Sequence, residues 1–358
     1  MTIPVIDTDE YDKEYVAIVT PYERDSLKVD EEAFRKHVRY FTTSNLFVKG
    51  NGAIIVNPEA GEIFYLTDEE RRRNIEIVLK ERPKGMPVFA GCYGVRREEV
   101  IRCALDAKEL GVDGIFVLPP TGTEEVTIAL DGTINPEIWT NHIGAIAKAT
   151  KLPLIIHASH ALTSTYGKGI PLENAKMILD KVTSIVGWKF IASLSGFYIV
   201  ASYLRSLKRH VGVLNTPDQV LQMCISSLID YRTFHDGAVN GGLNWFMEPY
   251  MELHNAFKDG DLEKAKSIMD SPSRDLWNYV YSGEGYYRLH IRYKIATWIR
   301  GNIPHPFMRP PMPPPRKYEV DKIFELVVKS GLSHISKSEI DKTWERKDLI
   351  LKDNLGEE

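Results

Sequence analysis

Thr183-Ser184-Ile185-Val186-Gly187-Trp188-Lys189-Phe190 is the stretch on which the reading of this chain turns. An apolar, β-branched run has the composition of a buried strand. It nevertheless carries a lysine near its end, and lysine is among the residues least often fully buried. Side chains alternate along a strand, so Trp188 and Phe190 face one side while Ile185, Gly187 and Lys189 face the other. An amine kept from water holds its proton less tightly, because burial disfavours the charged form. The neutral amine can attack a carbonyl and form a Schiff base. The plainer alternative is a strand-end lysine whose head reaches water along a buried stem.

Similar apolar runs recur on both sides of this one, at 16–20, 53–57, 87–91, 114–118, 154–157, weakly at 211–214, and at 238–241. Their spacing is roughly the 30 residues of a βα unit. Amphipathic stretches lie between them, at 30–41, 68–81, 97–110, 136–150 and 172–182. Asp30 and Asp68 read as N-caps with acidic first turns, and Gly111 as a C-cap after Leu110. Eight such units predict an α/β fold, a (β/α)8 TIM barrel with a C-terminal helical extension. The active site of such a barrel is built at the C-terminal ends of the strands. Lys189 ends the sixth strand and falls on that face. The expected divisions are 1–235 (N-terminal segment and units one to seven), 236–303 (last strand and C-terminal helices), 304–316 (a Pro-rich connector) and 317–358 (a helix and charged tail).

The 358 residues are 43% hydrophobic and 26% charged, with a formal net charge of -4, enough for one large barrel with an appendage. Mildly acidic, mixed charge leaves no nucleic-acid footprint. Arg288, His290, Arg292, Lys294 and Arg300 alternate with aromatic residues, and the overall charge assigns them to a helix whose basic side chains snorkel to water. Cys92, Cys103 and Cys224 are odd in number without CxxC spacing, so neither a disulfide framework nor a zinc site is indicated. Reduced thiols suit a cytoplasmic protein. The acidic, polar N-terminus is unlike a secretory signal. The uncharged stretch 190–204 falls short of the roughly 20 residues of a membrane span. A soluble protein with no nucleic-acid or membrane partner is expected. Within 304–316 a PxxPxR pattern could dock an SH3-like groove, but a stiff connector strapped across its domain is the expected role.

Short motifs add a resemblance. Val19-Thr20-Pro21-Tyr22 is similar to an opening strand with Thr-Pro-Phe, and Gly61-Glu62 with Leu66-Thr67-Asp68-Glu69-Glu70-Arg71 to the end of a Gly-Thr-Thr-Gly-Glu segment and its helix. Pro87-Val88-Phe89-Ala90-Gly91 and Ala107-Lys108-Glu109-Leu110-Gly111-Val112-Asp113-Gly114 fit strands three and four. Val186-Gly187-Trp188-Lys189-Phe190 resembles a strand carrying a Schiff-base lysine. Gly237-Ala238-Val239, Asn244, Pro249, Gly260-Asp261-Leu262 and Ala265 fit the last strand and helix. In this order, from about Tyr15 to Gly331, the chain resembles a divergent member of the dihydrodipicolinate synthase and N-acetylneuraminate lyase group of class I aldolases. The resemblance implies a covalent imine on Lys189 with no cofactor, and a homo-oligomer, a tetramer in this family.

The departures from the family pattern shape the expected site. Aligned on Gly61-Glu62, the family's Gly-Thr-Thr is Pro58-Glu59-Ala60 here. Those threonines hold the carboxylate of pyruvate and help relay protons, whereas a glutamate repels a carboxylate and offers an acceptor or base. The family's Tyr-Tyr after strand four is Pro120-Thr121, without the relay tyrosine. Aligned on Leu152-Pro153, the catalytic tyrosine of strand five is His157, an imidazole able to shuttle the same proton near neutral pH. Tyr166, in the long segment 159–170, is another source of a phenol. The resemblance thus implies Lys189, His157 and Glu59 as catalytic residues, with Thr20, Tyr22, Ala60, Thr121 and Gly241 against the substrate. The plainer roles are a structural carboxylate for Glu59 and a backbone-satisfied histidine for His157. His157-Ala158-Ser159-His160 invites a metal, but residues three apart on a strand face opposite sides and no carboxylate cluster completes a site; no metal is expected.

The chemistry predicted is that of a cofactor-independent, Schiff-base-forming lyase of aldolase type. It would cleave or form a C–C bond on a small-molecule carbonyl substrate other than plain pyruvate. The same imine would serve a dehydratase. A non-catalytic ligand-binding relative and a metal-dependent barrel hydrolase are the readings from other classes.

Overall fold

The computed structural model of the chain describes residues 9–121, 126, 129–132, 134–215, 234–282 and 288–345. These fall into two compact units: one comprises the chain up to Ala17 with Asn51–Glu59 and Leu66–Asn240, the other Ile18–Gly50, Ala60–Tyr65 and the chain from Gly241. Cys224 lies outside the described residues. The described strands are β1 (Glu14–Ala17), β2 (Gly52–Val56), β3 (Val88–Cys92), β4 (Gly114–Val117), β5 (Leu154–Thr163), β6 (Gly167–Gly169), β7 (Ile185–Phe190), β8 (Gly212–Asn215) and β9 (Gly237–Asn240). The described α-helices are α1 (Glu31–Thr42), α2 (Asn45–Lys49), α3 (Asp68–Glu81), α4 (Arg97–Leu110), α5 (Glu137–Thr150), α6 (Leu172–Lys181), α7 (Leu194–Ser206), α8 (Leu243–Asp259), α9 (Leu262–Met269), α10 (Ser273–Ser282), α11 (Leu289–Ile299), α12 (Lys317–Lys329) and α13 (Lys337–Glu345).

The first unit is the barrel. Eight parallel strands run in the order β4-β3-β2-β1-β9-β8-β7-β5, and the pairing of β4 with β5 closes the ring into a (β/α)8 barrel. Helices α3 to α7 follow one another around it, each packed on the next. Every residue of β1 to β4 is buried, which is why these strands read as continuous apolar runs rather than alternating ones. In β7 the two faces differ. Phe190 turns outward to Phe197 of α7, with ring centroids 4.8 Å apart. On the opposite face a Cβ at Gly187 would stand 2.7 Å from Leu214 Cδ1 and 3.1 Å from Ile155 Cγ1, so the inner layer has room only for glycine.

Three local details differ from the sequence reading. Helix α3 is capped by Thr67, not Asp68: the Glu70 N–H donates to Thr67 Oγ1 at 3.2 Å and the Thr67 N–H to Glu70 Oε2 at 2.9 Å, a capping box. Asp68 stands instead in the first turn, where its charge complements the helix dipole. Strand β1 ends at Ala17; in the second unit the Val19 N–H donates to Asn244 Oδ1 at 3.1 Å, outside any ladder. Finally, β5 runs on to Thr163 and pairs antiparallel with β6, so the segment after His157 is a hairpin. A three-residue strand, Gly-Lys-Gly, has no apolar alternation by which to announce itself.

The second unit is helical. Its basic residues on and around α11 do not snorkel. Arg292 donates to Glu319 Oε1 and to the Tyr279 carbonyl, both at 3.2 Å. Lys294 donates to Glu62 Oε1 at 2.5 Å, and Arg300 to the Trp245 carbonyl at 3.0 Å and to Glu248 at 2.7 Å. All three are buried. Their partners lie far away in sequence, where a local pattern cannot find them. The Pro-rich segment is held by Arg309, whose N–H donates to Glu62 Oε2 at 3.0 Å and whose guanidinium donates to the carbonyls of Leu27 (2.6 Å) and Tyr65 (2.5 Å). No described helix is long and apolar enough to cross a membrane.

Candidate active site

The register of β5 against β7 sets His157 directly beside Lys189, near the C-terminal ends of both parallel pairings. On the other side of β5, β4 contributes Phe116, whose ring centroid lies 5.7 Å from that of His157 and 5.6 Å from Lys189 Nζ. Glu59 stands three residues beyond β2, in a short 3-10 turn, and its Oε2 lies 2.8 Å from His157 Nε2. An amine, an imidazole, a carboxylate and an aromatic face are thereby gathered from three strands and one turn.

Burial sets the charges. Lys189 retains some solvent-accessible surface, as an open site requires, yet its amine is enclosed enough that desolvation pushes its pKa down to about 8, with the Glu59 charge opposing. The Phe116 π-face favours the ammonium form, but by less than desolvation costs it. At pH 7 roughly one such amine in ten is neutral, against about one in three thousand for an ordinary lysine. His157 is 2% exposed and held below the usual histidine value, first by desolvation and then by the Lys189 charge, with Glu59 opposing both. The Glu59 carboxylate makes an ion-pair contact off the line of the ring N–H, so neither imidazole nitrogen has an aligned hydrogen-bond partner. Such a ring is neutral at pH 7 and able to accept a proton beside the amine.

The remaining expected residues are placed as follows. Thr121, in the first unit, is exposed four residues past β4. Thr20, Tyr22, Ala60 and Gly241 belong to the second unit. There Thr20 Oγ1 donates to the Gly61 carbonyl at 2.8 Å, next to buried Ala60. The Tyr22 ring lies beneath Lys294 Nζ (4.0 Å) and the Arg309 guanidinium (4.7 Å). Gly241 lies against the Tyr293 ring, where a Cβ would approach within 2.3 Å. The Tyr166 carbonyl accepts from Gly169 N–H (2.9 Å) and Ser193 N–H (3.0 Å), pinning the hairpin. The His160 side chain lies outside the described residues. Asp9, Asp12 and His210 could gather around a cation, but they precede β1 and β8, at the barrel end opposite Lys189. In Gly114-Ile115-Phe116-Val117 the phenylalanine reads from sequence as core; only the pairing of β4 with β5 brings it to the amine.

Residues 11–329 match the dihydrodipicolinate synthetase family. The chain belongs to that family. It is similar to an uncharacterised DapA-like lyase of Thermofilum pendens, 23% identical over 315 residues that cover 88% of this chain and 95% of that one. Over a shorter stretch it is similar to the 4-hydroxy-tetrahydrodipicolinate synthase of Agrobacterium fabrum, 30% identical over 141 residues, 39% of this chain and 43% of that enzyme. Its fold is similar to that of a prophage protein of the family from E. coli K12 solved in complex with pyruvate, with a TM-score of 0.71 at 18% identity over 90% of this chain and 99% of that one. The dihydrodipicolinate synthetase family is one of Schiff-base lyases, and this member is a lyase.

Proposed function

We propose that this lyase forms an imine between Lys189 and a small carbonyl compound other than plain pyruvate, and makes or breaks the adjacent C–C bond. The observation that carries the reading is a desolvated amine seated beside an imidazole–carboxylate pair. In the cleavage direction, neutral Nζ attacks the carbonyl carbon and the carbinolamine loses water. The protonated imine then takes up the electron pair of the breaking C–C bond as an enamine, while His157 accepts the proton of the hydroxyl on the cleaved carbon, which leaves as an aldehyde or ketone. Returned to the enamine carbon, that proton regenerates the imine, which water hydrolyses to release product and amine. Glu59 stabilises the imidazolium while His157 holds the proton.

Glu59 stands at the position where the family resemblance implies donors to a carboxylate. Like charges a few ångströms apart cost on the order of 4 kcal/mol at an intermediate dielectric. With the Phe116 ring beside the amine, an aldehyde or ketone bearing apolar or aromatic parts suits the site better than pyruvate. Thr121, in the same unit, is proposed to line it. The test is borohydride reduction in the presence of aliphatic aldehydes, aromatic aldehydes, ketones and pyruvate, followed by mass mapping. An adduct on Lys189 with one of the uncharged compounds is expected. An adduct on a different lysine would overturn the assignment, and tight trapping of pyruvate would overturn the substrate class.

A further inference from the structure

The turn that delivers Glu59 starts from a strained residue. Asn57, the first past β2, has φ 52°, in the left-handed region that residues with a side chain seldom occupy. Pro58 follows, and a proline further disfavours helical conformations at the residue before it. Asparagine tolerates the left-handed region better than other non-glycine residues, but such strain persists only where the surroundings over-determine it. Here they do. Asn57 is 1% exposed and its amide donates to the Arg71 carbonyl at 2.9 Å, while its Oδ1 accepts from Asn74 Nδ2 at 3.0 Å. Arg71 and Asn74 both lie in α3, whose first turn is fixed by the Thr67–Glu70 capping box. Asn74 is itself fully buried. A glycine would supply the φ without either bond, so backbone geometry alone does not account for asparagine.

Taking Glu59 and His157 as the working pair proposed above, we propose that Asn57 is a positioning residue: it clamps the end of β2 to α3 and so aims the Glu59 carboxylate at the His157 ring. Without the clamp the glutamate side chain regains rotamer freedom, and its carboxylate turns toward water.

The His157 titration, followed by NMR on protein carrying 13C-labelled histidine, reads this without any substrate. The groups that face the ring are Glu59 after β2, Lys189 on β7 and the uncharged Phe116 on β4. Because Glu59 raises the His157 pKa, Glu59→Gln is expected to lower it. Asn57→Gly and Asn74→Ala, with the carboxylate still present, are each expected to lower it by about half a pH unit or more. In the Glu59→Gln background Asn57→Gly should add nothing, since it acts through that carboxylate. An unmoved titration in both single variants overturns the proposal, as does an equal shift in the Glu59→Gln background. Borohydride trapping with butanal and benzaldehyde on the same proteins keeps the two readings separate. Absence of any Lys189 adduct in the unmodified protein counts against the imine, while the titration still decides the role of Asn57.

Discussion

On the proposed reading Lys189 attacks a carbonyl only after losing its proton, so the value of about 8 to which burial pushes it should set the pH dependence of imine formation. Below that value the trapping rate should climb about tenfold per pH unit and then level off, whereas an ordinary lysine would keep climbing past pH 10. A climb without a plateau would show an ordinary, solvated amine. Glu59 holds the amine pKa up, so Glu59→Gln should move the plateau to lower pH. Lys189→Ala should abolish the adduct and lower turnover by several orders of magnitude, since the electron sink is gone. His157→Ala separates the steps: trapping should persist while turnover falls about 100-fold or more. Unaltered turnover in that variant would return His157 to a structural role. At this scale the sequence exposed Lys189 because a lysine in a β-branched run is chemically out of place. Phe116 and Asn57 carry no such mark. A phenylalanine in an apolar strand and an asparagine before a proline are ordinary until their neighbours in space are known.

Strand β7 delivers the amine, and its inner face is tightly filled at Gly187. Gly187→Val should force Leu214 and Ile155 apart and cost about 1–3 kcal/mol, read as a lower urea midpoint; an unchanged midpoint would mean that the inner layer is loosely packed there. In the second unit, α11 carries Lys294 to Glu62 within a buried pair. Lys294→Ala should cost about 3–5 kcal/mol, because Glu62 is left buried with its main counter-charge removed. Lys294→Met with Glu62→Gln should cost less than the single change, and an equal loss would show that the charge pairing is not what matters. Strands were legible at this scale because burial on both faces leaves a local signal, as were the Asp30 and Gly111 caps; the cap of α3 lies one residue before the acidic Asp68. The cations on and around α11 read as a snorkelling face because their acidic partners, Glu62, Glu248 and Glu319, come from other segments, and a local pattern shows charge without showing what it meets.

Across the whole molecule, acid should be destabilising through buried neutral histidines. Burial pushes His37 down to about 4 and His305 to about 3. Since the unfolded chain binds those protons first, the stability they confer is complete above about pH 6.5 and is lost as pH falls through the folded-state values. For His37 the amount is on the order of 3 kcal/mol. Asp12, raised to about 6 mainly by burial, works the other way, its penalty relieved as pH falls below 6. Urea midpoints measured from pH 7 to 4 should fall, and His37→Gln should flatten the fall; an identical slope in the variant would remove His37 as a cause. The tetramer implied by the family resemblance is a separate proposal, which sedimentation of a monomer would end. From the sequence by itself came the barrel and the amine, because a strand covered on both sides must be apolar throughout and a lysine within it stands out. The tertiary structure alone decided that Glu59 meets His157, that Phe116 walls the amine and that the cations around α11 are internal. Those pairings depend on strand register, on one left-handed residue and on contacts between segments remote along the chain, none of which leaves a periodic trace in the order of the amino acids.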